Sequence, residues 1–167
     1  MNQTNDIASL LDTMASQLLK RTSAYKKPPL MVGIHTGGVW VAKALHSRMG
    51  MREPLGELDI SFYRDDFTRI GMNPQVRPSQ LPFGIDGRDI VLIDDVLHTG
   101  RTVRAAMNEL FDYGRPDSIL LAVLVDRGGR ELPIEANVIG SQITLNPDEH
   151  IKLCGPDPLK LEVRKVQ

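Results

Sequence analysis

The stretch that decides the fold runs from residue 90 to residue 102: Ile-Val-Leu-Ile-Asp-Asp-Val-Leu-His-Thr-Gly-Arg-Thr. Its four leading apolar residues predict a strand that is buried on both faces, as in the centre of a parallel sheet. Asp94 and Asp95 follow at the predicted end of this strand, at Ile93. An amphipathic helix comes after the turn and ends at Gly114. Its apolar stripe consists of Val103, Ala106, Met107 and Leu110.

This order of elements predicts a site for a sugar phosphate. Free backbone N–H groups and the positive end of the helix dipole favour a phosphate group. Carboxylates accept hydrogen bonds from ribose hydroxyls, or bind a metal through oxygen. An acidic pair at a strand end is common in α/β proteins, so the prediction depends on its spacing to Thr99-Gly100-Arg101-Thr102.

The composition is that of an ordinary globular chain. With 167 residues, 41% apolar and 25% charged, we expect a single domain, residues 1–167, with one core. The net charge of −1 provides no general basic field for nucleic acid. Cys154 is the only cysteine, which excludes an intrachain disulfide and indicates a reducing compartment. Neither a secretory signal nor a membrane-spanning apolar run is apparent, so we expect a cytoplasmic protein.

Strands and helices alternate along the chain, which predicts an α/β fold with a mostly parallel sheet flanked by helices. The first helix is predicted over 6–21, with Asp6 as N-cap, and the second over about 39–49. The apolar stripe predicted for the first helix consists of Ile7, Leu10, Leu11, Met14, Ala15 and Leu18. A segment rich in proline and glycine, 64–87, predicts a lid or a disordered loop. The remaining strands are predicted at 30–34, 58–63 and 119–125, with shorter candidates at 138–140, 151–153 and 161–166.

Polar clusters follow several of these strands, at the edge where α/β sheets bind ligands. The clusters are His35-Thr36-Gly37-Gly38, Tyr63-Arg64-Asp65-Asp66, Asp94-Asp95 and Asp126-Arg127-Gly128. Glycines allow a backbone to approach an anion closely, although a plain tight turn stays an alternative for the first cluster. We find no pattern typical of a nucleophile–base pair or of a zinc site. The clusters together predict one site.

Residues 90–102 resemble the phosphoribosyl pyrophosphate (PRPP) signature of the type I phosphoribosyltransferases. Together with Val32–Gly38, Asp59–Asp66 and Gly114–Ile134, they resemble one family in particular, PyrR, the pyrimidine operon attenuators with uracil phosphoribosyltransferase activity. The resemblance implies a type I phosphoribosyltransferase fold, Rossmann-like, with a flexible lid loop. It implies conversion of uracil and PRPP to UMP and pyrophosphate, with Mg²⁺ as cofactor.

The resemblance also assigns site residues. Asp94, Asp95 and Arg64 are the expected catalytic residues, and the two aspartates bind Mg²⁺ directly or only through PRPP. A pyrophosphate loop is expected at His35, Thr36, Gly37 and Gly38, with a non-proline cis bond at Thr36–Gly37. A base loop is expected at Val125, Asp126, Arg127 and Gly128. PRPP is expected to contact Asp94, Asp95, Val96, Leu97, His98, Thr99, Gly100, Arg101 and Thr102.

The expected partners are PRPP, uracil and the nucleotides UMP and UTP. Leader RNA of the pyrimidine operon is a further partner of such attenuators, and Arg21 and Arg130 keep the basic character of their RNA face. Glu135 and Ser141 stand where those attenuators carry basic residues, so we expect weak RNA binding. A homodimer or homotetramer is expected. Two alternatives stay open: a nucleotide-responsive attenuator with little turnover, and transfer to another base.

Overall fold

The computed structural model describes residues 6–60 and 79–167. The helices in this part of the chain are α1 (Ile7–Thr22), α2 (Gly37–Arg48) and α3 (Arg101–Tyr113). The strands are β1 (Leu30–Ile34), β2 (Gly56–Leu58), β3 (Asp89–Leu97), β4 (Ser118–Asp126), β5 (Val138–Gln142), β6 (Glu149–Cys154) and β7 (Lys160–Lys165).

Five strands form one parallel sheet in the order β2-β1-β3-β4-β5, and β6 and β7 form a separate antiparallel hairpin. The predicted parallel α/β sheet is therefore confirmed. β3 was predicted to end at Ile93, but it continues to Leu97 and pairs with β4 as far as Asp126. Ladder hydrogen bonds join backbones and do not require apolar side chains. The acidic pair consequently lies within the last residues of β3.

Both faces of the sheet are buried. Side chains of the central strands alternate between two cores, so Met31 and Ile93 face one core while Val32 and Leu92 face the other. The first core also contains residues of α1, α2 and the hairpin, and the second contains residues of α3. This double coverage explains why the central strands are unbroken apolar runs.

The first helix has the predicted cap and apolar stripe. Asp6 Oδ1 accepts a hydrogen bond of 3.1 Å from Ala8 N, which satisfies one free amide of the first turn. The predicted stripe residues that are fully buried are Leu11, Met14, Ala15 and Leu18. This face packs into the first core, so α1 covers the sheet as its sequence pattern predicts.

Two predicted segments have different bounds. A strand was predicted over 58–63, but β2 begins at Gly56 and ends at Leu58. Leu58 is the last residue of β2 that pairs with β1, opposite Ile34. Of the predicted lid, 79–87 is described: Gln80 bridges to Glu57, and Ile85 is buried in the second core. The rest of the lid, 64–78, lies outside the described residues, as do 61–63. Within the described ranges, no helix is long and apolar enough to span a bilayer.

Candidate active site

The acidic pair is held by its own backbone. Asp95 N donates to Asp94 Oδ1 and Val96 N donates to Asp95 Oδ1, each over 2.8 Å. Asp94 is only 4% exposed, whereas Asp95 is half-buried. These short-range hydrogen bonds restrict the orientation of both carboxylates, so the pair is ordered by the chain alone.

The predicted pyrophosphate loop lies directly against the acidic pair. A Cβ on Gly37 would overlap the carboxylate of Asp95, and a Cβ on Gly38 would lie 2.7 Å from the carbonyl oxygen of Ile93. Both positions therefore require glycine because the loop backbone packs on β3. The structure thus brings together two clusters that lie more than fifty residues apart in the sequence.

His35 joins this loop to the sheet edge. Its Nε2 lies 2.8 Å from Glu57 Oε1 on β2, and its backbone N donates to Leu58 O over 2.9 Å. The peptide bond between His35 and Thr36 is cis, so the expected position of the cis bond, Thr36–Gly37, was wrong by one residue. That position came from the family resemblance, and no proline marks either bond. Sequence reasoning also missed Glu57, which meets His35 only through the β1–β2 register.

The turn before α3 has the geometry of an anion site. Gly100, at φ 93°, is the N-cap residue of α3, and it has no side chain with which to cap the helix. Arg101 N donates to Thr99 Oγ1 over 3.2 Å, and Arg104 N makes the first helical hydrogen bond, to Gly100 O. The N-terminal end of α3 therefore presents amides and a positive dipole beside the acidic strand. We call His98–Thr102 the phosphate loop.

The predicted base loop, Val125–Gly128, is shaped by the buried carboxylate of Asp126. Its Oδ1 accepts from Gly128 N over 2.9 Å, and its Oδ2 accepts from Arg130 Nη2 over 2.6 Å. Burial acts to raise the pKa of Asp126, but the hydrogen bonds from Arg130 and Gly128, with the charge of Arg130, hold that pKa below its usual value. The carboxylate is thus ionised and engaged within the loop.

The phosphate loop contacts Gly129, the residue that directly follows the base loop, through the ring of His98. A Cβ on Gly129 would lie 2.9 Å from Cδ2 and Nε2 of the His98 ring, so the ring packs directly over this glycine. Burial, followed by the charge of Arg127, lowers the pKa of His98. The ring thus packs where the charges of Arg127 and Arg130 both act to lower its pKa.

Two predicted RNA-face residues have different surroundings. Arg21, in the last turn of α1, is exposed. Arg130 is turned inward: it is 17% exposed and donates to Asp126 Oδ2, His98 O and Ile134 O. Sequence reasoning missed these contacts. The two consecutive glycines after Arg127, both at positive φ, were the available signal of a tight reversal.

Comparison with known proteins agrees with this geometry. The family model described as phosphoribosyl transferase domain matches residues 2–155. The relatives named Bifunctional protein PyrR are 55% identical in Nitrosococcus oceani, covering 96% of this chain and 93% of that protein, and 59% identical in Pseudomonas aeruginosa, covering 95% and 94%. The chain belongs to the PyrR family of phosphoribosyltransferases.

Solved phosphoribosyltransferases share the fold of this PyrR family member. A hypoxanthine phosphoribosyltransferase from Staphylococcus aureus superposes with a TM-score of 0.65 at 26% identity, covering 87% of this chain and 76% of that chain. The hypoxanthine phosphoribosyl transferase of Trypanosoma cruzi has a TM-score of 0.66 at 20% identity, covering 86% and 76%, and supports the fold alone.

In this PyrR family member, the pyrophosphate loop, the acidic pair, the phosphate loop and the base loop meet at the carboxyl edge of β1, β3 and β4. Arg64 lies outside the described residues. Across 6–60 and 79–167, no three His, Cys, Asp or Glu residues form a metal-binding group. A Mg²⁺ ion commonly takes one or two carboxylates together with substrate phosphates. Asp94 and Asp95 are the predicted carboxylates for such a shared site.

Proposed function

We propose that this chain transfers the phosphoribosyl group of PRPP to uracil and releases UMP and pyrophosphate. The observation that carries the proposal is the convergence of the two glycines of the pyrophosphate loop, the acidic pair and the N-terminal end of α3 at one sheet edge. A diphosphate, a ribose and a 5-phosphate require three such groups of contacts, side by side.

In this proposal each element has one task. Amides of the phosphate loop bind the 5-phosphate, the carboxylates of Asp94 and Asp95 accept from the ribose hydroxyls, and the amides of the pyrophosphate loop bind the leaving group. The base loop places the uracil nitrogen near the anomeric carbon. Departure of pyrophosphate develops positive charge on the ribose, which the carboxylates stabilise, while the backbone N–H dipoles stabilise the negative charge of the leaving group, without a protein nucleophile.

Mg²⁺ is the cofactor that fits this chemistry. Asp94 and Asp95 would hold it together with the oxygens of PRPP, and the bound ion would neutralise charge on the diphosphate. The requirement is tested by titrating Mg²⁺ into an assay containing chelator-treated protein. Turnover that is equally fast in excess chelator would contradict it.

Uracil is the base that the PyrR membership and the base loop favour. Between Gly114 and Gln167 the chain contains no aromatic residue, whereas hypoxanthine-type relatives usually carry an aromatic in the base loop. A radiolabel assay with PRPP and each of uracil, hypoxanthine, guanine and orotate tests the choice. We expect UMP alone. A purine or orotate nucleotide would overturn the assignment of the base, and no transfer at all would favour a binding protein with little turnover.

A second candidate function is attenuation through pyrimidine leader RNA with uridine nucleotides as effectors. It is favoured because the relatives carry the name bifunctional. The charges favour weak binding: Arg130 is engaged internally, and Glu135, 79% exposed, presents a negative charge. Filter binding to a leader hairpin at several salt concentrations, with and without UMP, tests this. Tight binding with a steep salt dependence would contradict the expected weakness.

Self-association and location complete the proposal. From the family resemblance and the single cysteine, we propose a cytoplasmic homodimer or homotetramer. Light scattering coupled to size-exclusion chromatography measures the state, and a monomer at all concentrations would contradict it.

A further inference from the structure

Arg130 makes an unusual set of contacts for a residue that follows two glycines in a loop. Each of its three nitrogens donates to a different acceptor: Nε to Ile134 O over 2.7 Å, Nη1 to His98 O over 2.8 Å, and Nη2 to Asp126 Oδ2 over 2.6 Å. The side chain is 17% exposed and that of Asp126 is 8% exposed. Glu135, which is exposed, is more distant, with its Oε1 3.8 Å from Nε of Arg130. The guanidinium is therefore directed inward.

These acceptors belong to different parts of the site. His98 O lies in the phosphate loop, Asp126 lies in the base loop, and Ile134 lies in the segment between the base loop and β5. A planar guanidinium presents its donors in a rigid fork, so its three bonds fix the relative position of the three acceptors. A lysine ammonium has one nitrogen and cannot reproduce this geometry.

Half of the base loop belongs to the sheet: Val125 and Asp126 end β4 and pair with β3 and β5, so Arg127 and Gly128 are the part that extends beyond it. Asp126 Oδ1 accepts from Gly128 N, Ile143 N donates to Asp126 O, and Arg127 N donates to Leu97 O. Gly128 and Gly129 both have positive φ, and glycine can adopt many backbone conformations at little steric cost. The phosphate loop has independent support, because Glu131 N and Leu132 N both donate to Thr99 O and α3 follows directly. Loss of Arg130 should therefore loosen Arg127 and Gly128, at the end of the base loop, more than the phosphate loop.

We propose that Arg130 is a positioning residue for the nucleobase: its guanidinium joins the base loop to the phosphate loop and sets the distance between the bound base and the bound ribose phosphate. The inference rests on the proposed transferase function. It assigns Arg130 to the reaction rather than to an RNA face.

The test compares Arg130→Gln and Arg130→Lys with the unaltered protein. We expect the KM for uracil to rise by on the order of tenfold to a hundredfold in Arg130→Gln, because small misplacements of a reactant are costly. The KM for PRPP should change little. In Arg130→Lys the KM for uracil should rise less than in Arg130→Gln, because lysine keeps the positive charge but lacks the forked donors of the guanidinium. Hydrogen exchange over 126–134 should be faster in both variants.

A matched control is Arg164→Gln, which removes an arginine–glutamate contact of the same length, 2.6 Å, on β7. We expect unchanged kinetics there. In a double-mutant cycle, the variant that carries both Asp126→Asn and Arg130→Gln should have a KM for uracil only slightly higher than that of Arg130→Gln alone.

An unchanged KM for uracil in Arg130→Gln, or an equal rise in the KM for both substrates, would overturn the proposal. Absence of any base transfer by the unaltered protein would instead contradict the transferase function. In that case the affinity for UMP, measured by calorimetry, tests whether Arg130 holds the two loops together. An affinity unaltered by Arg130→Gln would overturn the positioning role as well.

Discussion

The backbone of Gly37 packs against the carboxylate of Asp95 so closely that no side chain fits between them. The contact joins the loop after β1 to the end of β3, and Asp95 is at the same time held by Val96 N. The position of the carboxylate is therefore restricted from two sides, by its own strand and by the neighbouring loop. A change at position 37 should act through Asp95, although the substituted residue itself bears no functional group.

Gly37→Ala should lower kcat/KM for PRPP by on the order of tenfold or more, because the new methyl displaces a carboxylate that we propose orients the ribose. The matched control is Gly84→Ala, since a Cβ there meets nothing within 4 Å. Steady-state kinetics of both variants measure the effect. A Gly37→Ala enzyme that matches Gly84→Ala would show that the contact has no part in PRPP binding.

Asp95→Asn separates charge from structure at the same position. The amide oxygen can still accept from Val96 N, so the melting temperature should stay close to that of the unaltered protein. Loss of a charged acceptor for a ribose hydroxyl should weaken PRPP binding by about 1.5–3 kcal/mol. Calorimetric titration with PRPP and Mg²⁺ measures it, with the exposed Asp112→Asn on α3 as control. Equal affinities in the two variants would contradict a role in binding.

Much of the fold is predictable from the sequence for a simple reason. Strands buried on both faces must be apolar throughout, and 30–34, 90–93 and 119–125 are such runs. Their parallel arrangement follows from the helices between them. The end of β3 was not predictable, because backbone pairing with β4 continues through the polar pair, Asp94 and Asp95.

The contacts that shape the site were harder to predict than the residues in it. Arg130 meets Asp126 four positions away but meets His98 at a separation of 32, and both contacts depend on the reversal at Gly128 and Gly129. The pairing of His35 with Glu57 likewise requires the register of two strands separated by α2. Motifs identify which residue types are present, whereas these partners depend on tertiary geometry.

The ion pair between Asp126 and Arg130 should be visible in acid titration. Burial alone would raise the pKa of Asp126, and Arg130 contributes to holding it below the usual value, so Arg130→Gln should raise it. Because the folded-state pKa is lowered, the stabilisation is present above about pH 3.9 and is lost as the pH falls through the folded pKa. Carbon NMR of the carboxyl group measures the shift. An unchanged pKa in the variant would mean that Gly128 N is sufficient.

His98 should make the folded protein less stable in mild acid. Burial first and Arg127 second lower its pKa, so the unfolded chain binds the proton more readily than the folded one. Stability should therefore fall as the pH falls through about 6.5 and level off below the folded pKa. Urea unfolding between pH 8 and pH 5 measures it, and His98→Asn should flatten this part of the profile. The same slope in both proteins would assign the pH dependence to other groups.

The contact between β1 and α2 places the pyrophosphate loop and should be intolerant of added volume. A Cβ on Gly33 would lie 2.8 Å from Val39 Cα and 2.9 Å from Ala42 Cβ, and the nearer atom is backbone that cannot rotate away. Gly33→Ala should therefore push α2 outward and cost about 1–3 kcal/mol of unfolding free energy. At about 2–4 °C per kcal/mol for a chain of this size, the melting temperature falls by several degrees.

The control is Gly84→Ala, where the added Cβ enters open space, and its unfolding free energy should stay within about 0.5 kcal/mol of that of the unaltered protein. Because Gly33 lies four residues before Gly37, the displaced helix should also weaken PRPP binding. A Gly33→Ala protein as stable as Gly84→Ala would show that the interface between β1 and α2 is looser than these distances indicate.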